Sequence, residues 1–190
     1  MRNIFEALQE GRECISPMDL DHLRMVRASV TSFLREMAQR YPIKGTLLDI
    51  APQDHKGAVP YFTQALVETL GLDPDSGCDI IGDITKFNDE IPHGKYDAVV
   101  CTEVLEHTLN PFSAVQEISR ILKAKGFLFL TVPFNLRIHG PAPDCWRFTE
   151  YGIHALLSPY FENIEVTPIE TPGRILMPIH YRVAAEKKGL

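Results

Sequence analysis

The sequence contains little of what several large classes of protein require. Its four cysteines, Cys14, Cys78, Cys101 and Cys145, are widely scattered and form no CxxC pair. This spacing argues against a zinc site and against a disulfide framework, and it suits a reducing cytoplasm. No apolar run approaches the length of a membrane span, and the first residues contain no apolar signal core. We therefore expect a cytoplasmic protein without a membrane span, and we assign no metal ligands.

Positive charge and glycine-rich loops are also scarce. The chain has a formal net charge of -6, whereas a general nucleic-acid binder needs a surface that neutralises phosphates. A nucleic-acid partner is therefore not expected. No GxGxxG loop follows the first predicted strand, which argues against a nicotinamide-dependent oxidoreductase.

The composition is that of an ordinary globular protein, with 45% hydrophobic and 23% charged residues. A chain of 190 residues is most simply one domain that buries a core without covalent staples. We divide it into an N-terminal helical extension, residues 1–42, and a core, residues 43–190. Ser16, Pro17 and Asp19 form a capping-box-like helix start. The following helix is interpreted either as a lid or substrate-facing helix, or as a helix that covers a sheet edge or a homodimer face.

Residues 96–133 organise the rest of the chain as one strand–helix–strand unit. A short apolar run at residues 98–101 predicts a strand buried on both faces. Asn110 and Pro111 predict a helix start, and Lys123, Lys125 and Gly126 are typical of a helix end, with the glycine in the left-handed position. One helix face is predicted to carry Phe112, Val115, Ile118, Ile121 and Leu122.

A second buried strand, residues 127–132, completes this unit and predicts a parallel α/β sheet. Ligands of such sheets bind beyond the carboxyl ends of the strands. The polar residues at 101–107 and 134–139 follow the two strands and are expected at that edge. Residues 135–147 contain a glycine and two prolines, which predicts a long loop there.

These segments resemble a known family. The motif CTEVLEH at residues 101–107, followed by a helix, ILKAKG and FLFLTVPF, is similar to the second half of class I S-adenosylmethionine (SAM)-dependent methyltransferases of the type 11-like group. HGPAPDCWRFTEYGIHALL, residues 139–157, resembles a branch with a DxWRFT-like segment. The resemblance covers roughly residues 47–187. It implies a Rossmann-like doubly wound α/β fold, with a mostly parallel seven-stranded sheet and an antiparallel last strand.

The same resemblance implies an activity. It predicts SAM as cofactor, S-adenosylhomocysteine as product, and a small-molecule, glycan or lipid-precursor acceptor. In the family an acid and a glycine-rich loop follow the first strand. Here Asp49 matches the acid, Ala51 stands in place of the first glycine, Gln53 lies in the loop, and only Gly57 remains of the glycines. The eroded loop keeps an alternative open, that of a catalytically inactive protein acting as a binding or partner subunit.

Further cofactor contacts follow from the resemblance. Asp73, or in its place Glu68, would accept from the ribose hydroxyls, although Asp73 is as typical of an Asp-Pro turn. Asp83 would accept from the adenine amino group while Ile84 contacts the ring. For Asp83, an ordinary carboxylate in a loop with no part in cofactor binding is an equally strong interpretation.

The strand ends also supply candidates for the reacting end of the site. Thr102 and Glu103 are predicted to bind the amino acid part of SAM. His139, on its loop, is the preferred candidate base because it titrates near neutrality, and His107 is the second. Each histidine also has a purely structural interpretation. His139 would order its loop, and His107 would form a hydrogen bond at the start of a helix.

Overall fold

Seven strands form one sheet in the part of the chain that the structure, a computed structural model, describes, residues 15–52 and 57–189. The strands are β1 Thr46–Ile50, β2 Leu66–Gly71, β3 Ile80–Ile81, β4 Tyr96–Thr102, β5 Leu122–Pro133, β6 Phe161–Thr171 and β7 Arg174–Lys187. The α-helices are α1 Pro17–Arg40, α2 Pro111–Ile121 and α3 Glu150–Leu157, and short 3₁₀ turns lie at Pro74–Ser76 and Leu105–His107. None of the described helices is long and apolar enough to cross a bilayer.

The sheet has the predicted architecture. Its strand order is β3-β2-β1-β4-β5-β7-β6. The first five strands pair in parallel, and β7 runs antiparallel to both β5 and β6. The doubly wound, mostly parallel sheet with an antiparallel last strand is therefore confirmed.

The sheet buries side chains on both faces. Helices α2 and α3 cover one face, where the core includes Leu48, Val99 and Ile118. Helix α1 covers the other together with Phe62 and Phe129. Because both faces are covered, the central strands read as continuous apolar runs in the sequence.

The predicted end of α2 is wrong. The helix ends at Ile121 and β5 begins at the next residue, so Lys123 and Lys125 lie in the strand. The left-handed conformation belongs to Lys125, with φ 62°, and not to Gly126. A Cβ on Gly126 would come within 3.0 Å of two backbone oxygens. This glycine is therefore needed for close backbone approach and not to end the helix.

Phe112 also departs from its predicted place. It is 62% exposed, whereas Val115, Ile118 and Ile121 are fully buried. Leu122 is buried as well, but it lies at the start of β5 and not on the helix. The buried face of α2 is centred on Ala114, Ile118 and Ile121, which leaves Phe112 at its margin in the first turn.

The start of α1 is as predicted. The Ser16 hydroxyl accepts from the Asp19 N–H at 3.1 Å, and Pro17 occupies the first turn. Helix α1 packs its Val26–Met37 side against the sheet. Its other neighbour is the cavity described below, so it both covers the sheet and faces the candidate site.

The connection from β1 to β2 contains no helix among its described residues. Residues 57–65 form consecutive turns, with the Tyr61 and Phe62 N–H groups donating to the Ala58 carbonyl. This short connection brings Ala58 and Phe62 into the core beneath α1.

Candidate functional site

A cavity of about 880 Å³ lies at the carboxyl ends of β1, β2 and β4. Its floor is formed by strand ends, its sides by residues after β3, by α1 and by the 105–109 turn, and its roof by the loop after β5. The floor residues are Ile50, Ala51, Leu70, Leu72 and Glu103, and the roof residues are Leu136, His139, Gly140, Pro141 and Pro143. This is the edge at which the sequence predicted polar chemistry, and the volume is that of a small-molecule site.

The loop after β1 begins at Ala51, which stands in place of the family's first glycine. Ala51 lines the cavity in the left-handed conformation, with φ 50°, and its N–H donates to the Leu70 carbonyl at 2.7 Å. Alanine adopts this conformation at a steric cost that glycine avoids. Pro52 is not among the described residues that line the cavity. Gln53 lies outside the described residues.

Asp49 supports this loop from below. Its carboxylate is 1% exposed and accepts the Ala58 N–H at 2.6 Å. Burial raises the pKa of Asp49 to about 7, against the opposing effect of that hydrogen bond. Gly57, with φ 40°, packs so closely that an added Cβ would lie 1.9 Å from the Asp49 Oδ2. Asp49 therefore shapes the β1 loop, and its part in cofactor binding stays a prediction.

Two predicted adenine contacts lie on the cavity wall. Asp83 and Ile84 both line it. The Asp83 Oδ1 accepts from the Thr85 N–H at 2.9 Å and from its hydroxyl at 2.7 Å. Burial opposes ionisation of Asp83, but these hydrogen bonds and Lys86 lower its pKa overall. The carboxylate is therefore held in place as an anionic acceptor.

The ribose candidates lie elsewhere. Asp73 caps the Pro74–Ser76 turn, where its carboxylate accepts the Asp75 N–H at 2.9 Å, and Leu72 lines the cavity in that region instead. Glu68 accepts from the Tyr96 hydroxyl at 2.6 Å and from Lys95. The ribose role of Asp73 stays a prediction.

Glu103 is the strand-end acid that reaches the cavity. It adopts φ 53°, its N–H donates to the Thr131 carbonyl, and its Oε1 lies 3.2 Å from the His180 Nδ1. Its Oε2 is buried without a hydrogen-bond partner among the described residues. Thr102 is buried beside Thr131 in the sheet, so its predicted contact with the cofactor is also left as a prediction.

The two predicted histidines meet at the roof. Their rings are 4.9 Å apart between centroids in an edge-on arrangement. The His107 Nδ1 lies 2.8 Å from the Pro143 carbonyl, and the His139 Nδ1 lies 3.2 Å from the Arg137 carbonyl. Burial lowers the pKa of His139, although Asp144 acts in the opposite direction. The 105–107 turn and the loop after β5 thus meet at the sheet edge where the sequence placed both segments.

Glu106 is a residue of this site to which sequence reasoning gave no role. Its side chain is 0% exposed, and neither carboxylate oxygen has a hydrogen-bond partner among the described residues. Burial raises the pKa of Glu106 well above its ordinary value, with a further contribution from Glu103. Its Oε1 lies 3.8 Å from the His107 Nε2 and 3.9 Å from the His139 Nε2.

An internal network fixes the roof. Arg147 donates to both carboxylate oxygens of Asp144, at 2.6 and 2.8 Å, and to the carbonyls of Leu136 and Arg137. Asp144 in turn accepts the His139 N–H at 2.9 Å. The Trp146 indole N–H donates to the carbonyl of Thr108, at 2.8 Å, which ties the loop to the turn after β4. Arg147 thus orders the roof and does not point a free guanidinium at a ligand.

Comparison with known proteins identifies the family of the chain. A family model described as a methyltransferase domain matches residues 23–163. A ubiquinone biosynthesis O-methyltransferase of Shewanella halifaxensis (strain HAW-EB4) is 43% identical over 47 residues, 24% of this chain. The match spans only 20% of that relative's length.

Solved structures share the fold at low sequence identity. A 1,6-didemethyltoxoflavin-N1-methyltransferase of Burkholderia thailandensis, solved with its substrate and S-adenosylhomocysteine, has a TM-score of 0.63 at 16% identity, covering 97% of this chain and 89% of its own. The 4+2 cyclase SpnF has a TM-score of 0.63 at 14% identity, covering 83% and 80%. At this level of identity the similarity shows a shared fold only. The two proteins use that fold for different reactions, a methyl transfer and a cyclisation.

Proposed function

This chain belongs to the family of methyltransferase domains, and from that premise we propose that it is a SAM-dependent methyltransferase acting on a small-molecule, glycan or lipid-precursor acceptor. The observation that carries the proposal is the open cavity of about 880 Å³ at the strand ends. Ala51, Asp83 and Ile84, three of the residues that the family resemblance assigns to the cofactor, line this space.

The residues on the cavity wall fit an adenosyl ligand. Asp83 offers a fixed carboxylate for the adenine amino group, and Ile84 offers an apolar contact for the ring. Ala51 holds the backbone turn that brings β1 close to the ligand. Glu103, with an oxygen that lacks a described partner, is the candidate for the ammonium group of the amino acid part.

When bound, SAM supplies an electrophilic methyl group, so the protein chiefly has to place the acceptor atom and exclude water. Helix α1 and the loop after β5 would exclude water, because both border the cavity. The Nδ1 of each histidine faces a carbonyl, which can only accept, so the proton resides on Nδ1. The lone pair of each Nε2 is then available at the acceptor end.

The lining suggests the chemical class of the acceptor. Leu23, Leu109 and Leu136 make one side of the cavity apolar, and Arg27 of α1 places a cation at its border. An acceptor with an apolar body and an anionic group would match both features. The same combination is found in phosphorylated or carboxylated precursors of lipids and glycans.

The alternative of an inactive partner subunit has one observation in its favour. Ala51 and the missing glycines depart from the family pattern, and a left-handed alanine is a strained replacement. A protein of this kind would leave the cavity without SAM under any condition.

Isothermal titration calorimetry of the purified chain with SAM and with S-adenosylhomocysteine tests the proposal. We expect one molar equivalent of either ligand to bind, and Asp83→Asn to weaken binding about tenfold through the lost charged acceptor. Asp75→Asn, which makes the same chemical change at an exposed position, is the matched control. Absence of binding to both ligands would overturn the proposal. Transfer of labelled methyl to candidate acceptors then identifies the substrate.

A further inference from the structure

We propose that Glu106, His107 and His139 form a binding site for a first-row divalent transition-metal ion at the acceptor end of the cavity. One ligand atom from each residue lies within 4.8 Å of the other two. The spacing of the cysteines in the sequence argues against a zinc site. That spacing has no bearing here, because none of these three residues is a cysteine. Two imidazoles and one carboxylate are a donor set that such ions bind in many proteins.

The distances between the three groups leave room for an ion. The Glu106 Oε1 lies 3.8 Å from one Nε2 and 3.9 Å from the other. These separations are too long for hydrogen bonds. Ligands held about 2.1 Å from a tetrahedral ion are about 3.4 Å apart. A contraction of about 0.5 Å would bring each Glu106–histidine pair to this spacing. The ligand nitrogens of the two histidines, which lie within 4.8 Å of each other, would have to approach by up to about 1.4 Å.

The orientation of both imidazoles is already fixed for this role. The Nδ1–H of His107 donates to the Pro143 carbonyl and that of His139 faces the Arg137 carbonyl. A metal-binding histidine commonly donates its other N–H to a carbonyl or carboxylate, which fixes the tautomer and leaves the lone pair toward the metal. Asp144 and Arg147 hold the backbone on which His139 sits.

The buried carboxylate is the independent observation that points to a ligand. Glu106 is 0% exposed and neither of its oxygens has a hydrogen-bond partner among the described residues. A carboxyl group buried in this way is costly, and buried carboxylates are normally paired or coordinate metals. The Nε2 atoms of His107 and His139, at 3.8 and 3.9 Å from its Oε1, are too distant to form hydrogen bonds with it.

The open side of the cluster faces the cavity. The side chains of His107 and His139 are 14% and 19% exposed and both line the cavity. Three protein ligands leave one or more coordination positions for water or a substrate oxygen. If the proposed methyltransferase function holds, the ion would bind a hydroxyl oxygen of the acceptor and lower its pKa, with the proton passing to water. The two Nε2 lone pairs would then serve as ligands, and neither histidine would act as the base.

Calorimetric titration of the chelator-treated full chain with Zn²⁺, Mn²⁺, Co²⁺ and Mg²⁺ tests the site. We expect one equivalent of Zn²⁺ or Co²⁺ to bind, with Mg²⁺ weaker because of the two nitrogen ligands. The absorption spectrum of bound Co²⁺ should report nitrogen coordination. Glu106→Gln, His107→Gln and His139→Gln should each lower affinity by at least about tenfold. His154→Gln, at an exposed histidine of α3, should leave it unchanged.

Circular dichroism and the melting temperature in the absence of metal check that each variant folds. Glu106→Gln replaces a buried acid, which has no hydrogen-bond partner among the described residues, with an amide of nearly the same shape. The variant should therefore keep the wild-type fold while losing the metal-dependent rise in melting temperature. No saturable binding, or binding that all three variants retain, would overturn the site. SAM titration of the same samples separates the two proposals. If the chain binds metal but not SAM, the metal site stands and the proposed methyltransferase function is rejected. If it binds SAM but not metal, only the metal site is rejected.

Discussion

Asp49 makes the stability of this fold depend on pH in the direction opposite to that of a paired surface carboxylate. Its carboxylate is 1% exposed beneath the β1 loop. Burial raises its pKa from 3.8 to about 7, and the Ala58 N–H offsets only part of this effect. The folded protein therefore favours the neutral acid, while the unfolded chain ionises it freely.

The size and sign of the effect follow from the two pKa values. Each unit of difference corresponds to about 1.4 kcal/mol, so a shift of about three units contributes about 4 kcal/mol to the free energy of unfolding. This contribution is fully present below pH 3.8 and is lost as the pH rises through about 7. Between these limits the unfolded state binds fewer protons, and stability falls with rising pH.

Urea unfolding of the wild type and of Asp49→Asn measures this contribution. The asparagine stays neutral at every pH, and its oxygen can still accept the Ala58 N–H. We compare the free energy of unfolding of Asp49→Asn with that of the wild type at each pH. The difference, variant minus wild type, should rise by about 4 kcal/mol from about pH 4 to about pH 7.5. Asp75→Asn at an exposed position serves as control. Parallel stability curves for wild type and Asp49→Asn would refute the reasoning.

Three further predictions concern the loops around the cavity. Ala51→Gly should relieve the left-handed strain and change the free energy of unfolding by no more than about 1 kcal/mol, most of the gain being offset by unfolded-chain entropy; a large loss in urea unfolding would contradict this. Gly57→Ala should cost more than about 2 kcal/mol, because its Cβ would overlap the carboxylate beneath it; an unchanged melting temperature would contradict the packing. Arg147→Lys should cost about 2 kcal/mol by leaving the buried Asp144 without its paired donors, and thermal unfolding measures it.

Much of the fold was predictable because its signals are local. Helix starts at Ser16 and Asn110 rest on side-chain caps within three residues, and the structure shows both. The buried strands of the central unit read as apolar runs for the same reason. The end of α2 was not predictable, since Gly126 is required by close packing to Asp97 and Lys123. A local pattern cannot distinguish that requirement from a left-handed helix end.

The site was predictable in part. The sequence placed His107 and His139 at the same sheet edge, because both follow parallel strands, and the structure brings their rings together. Glu106 was missed because a carboxylate next to a histidine in a turn usually faces solvent. Its burial depends on α2, the 3₁₀ turn and the loop after β5 meeting around it, which is a tertiary property. The one available signal was the acid–histidine pair in CTEVLEH itself.

The roof loop and the start of the β1 loop are held by separate sets of hydrogen bonds. In the family pattern glycines after β1 bring the backbone to the ligand, whereas here a strained Ala51 and the anchored Asp49 maintain the turn. The roof is held independently by the Arg147–Asp144 pair and by the Trp146 bond to the turn after β4. Because this network consists entirely of hydrogen bonds within the protein, it fixes the roof without a contribution from the β1 loop. Specificity should therefore reside in the roof, and changes there should alter acceptor choice more than affinity for the cofactor.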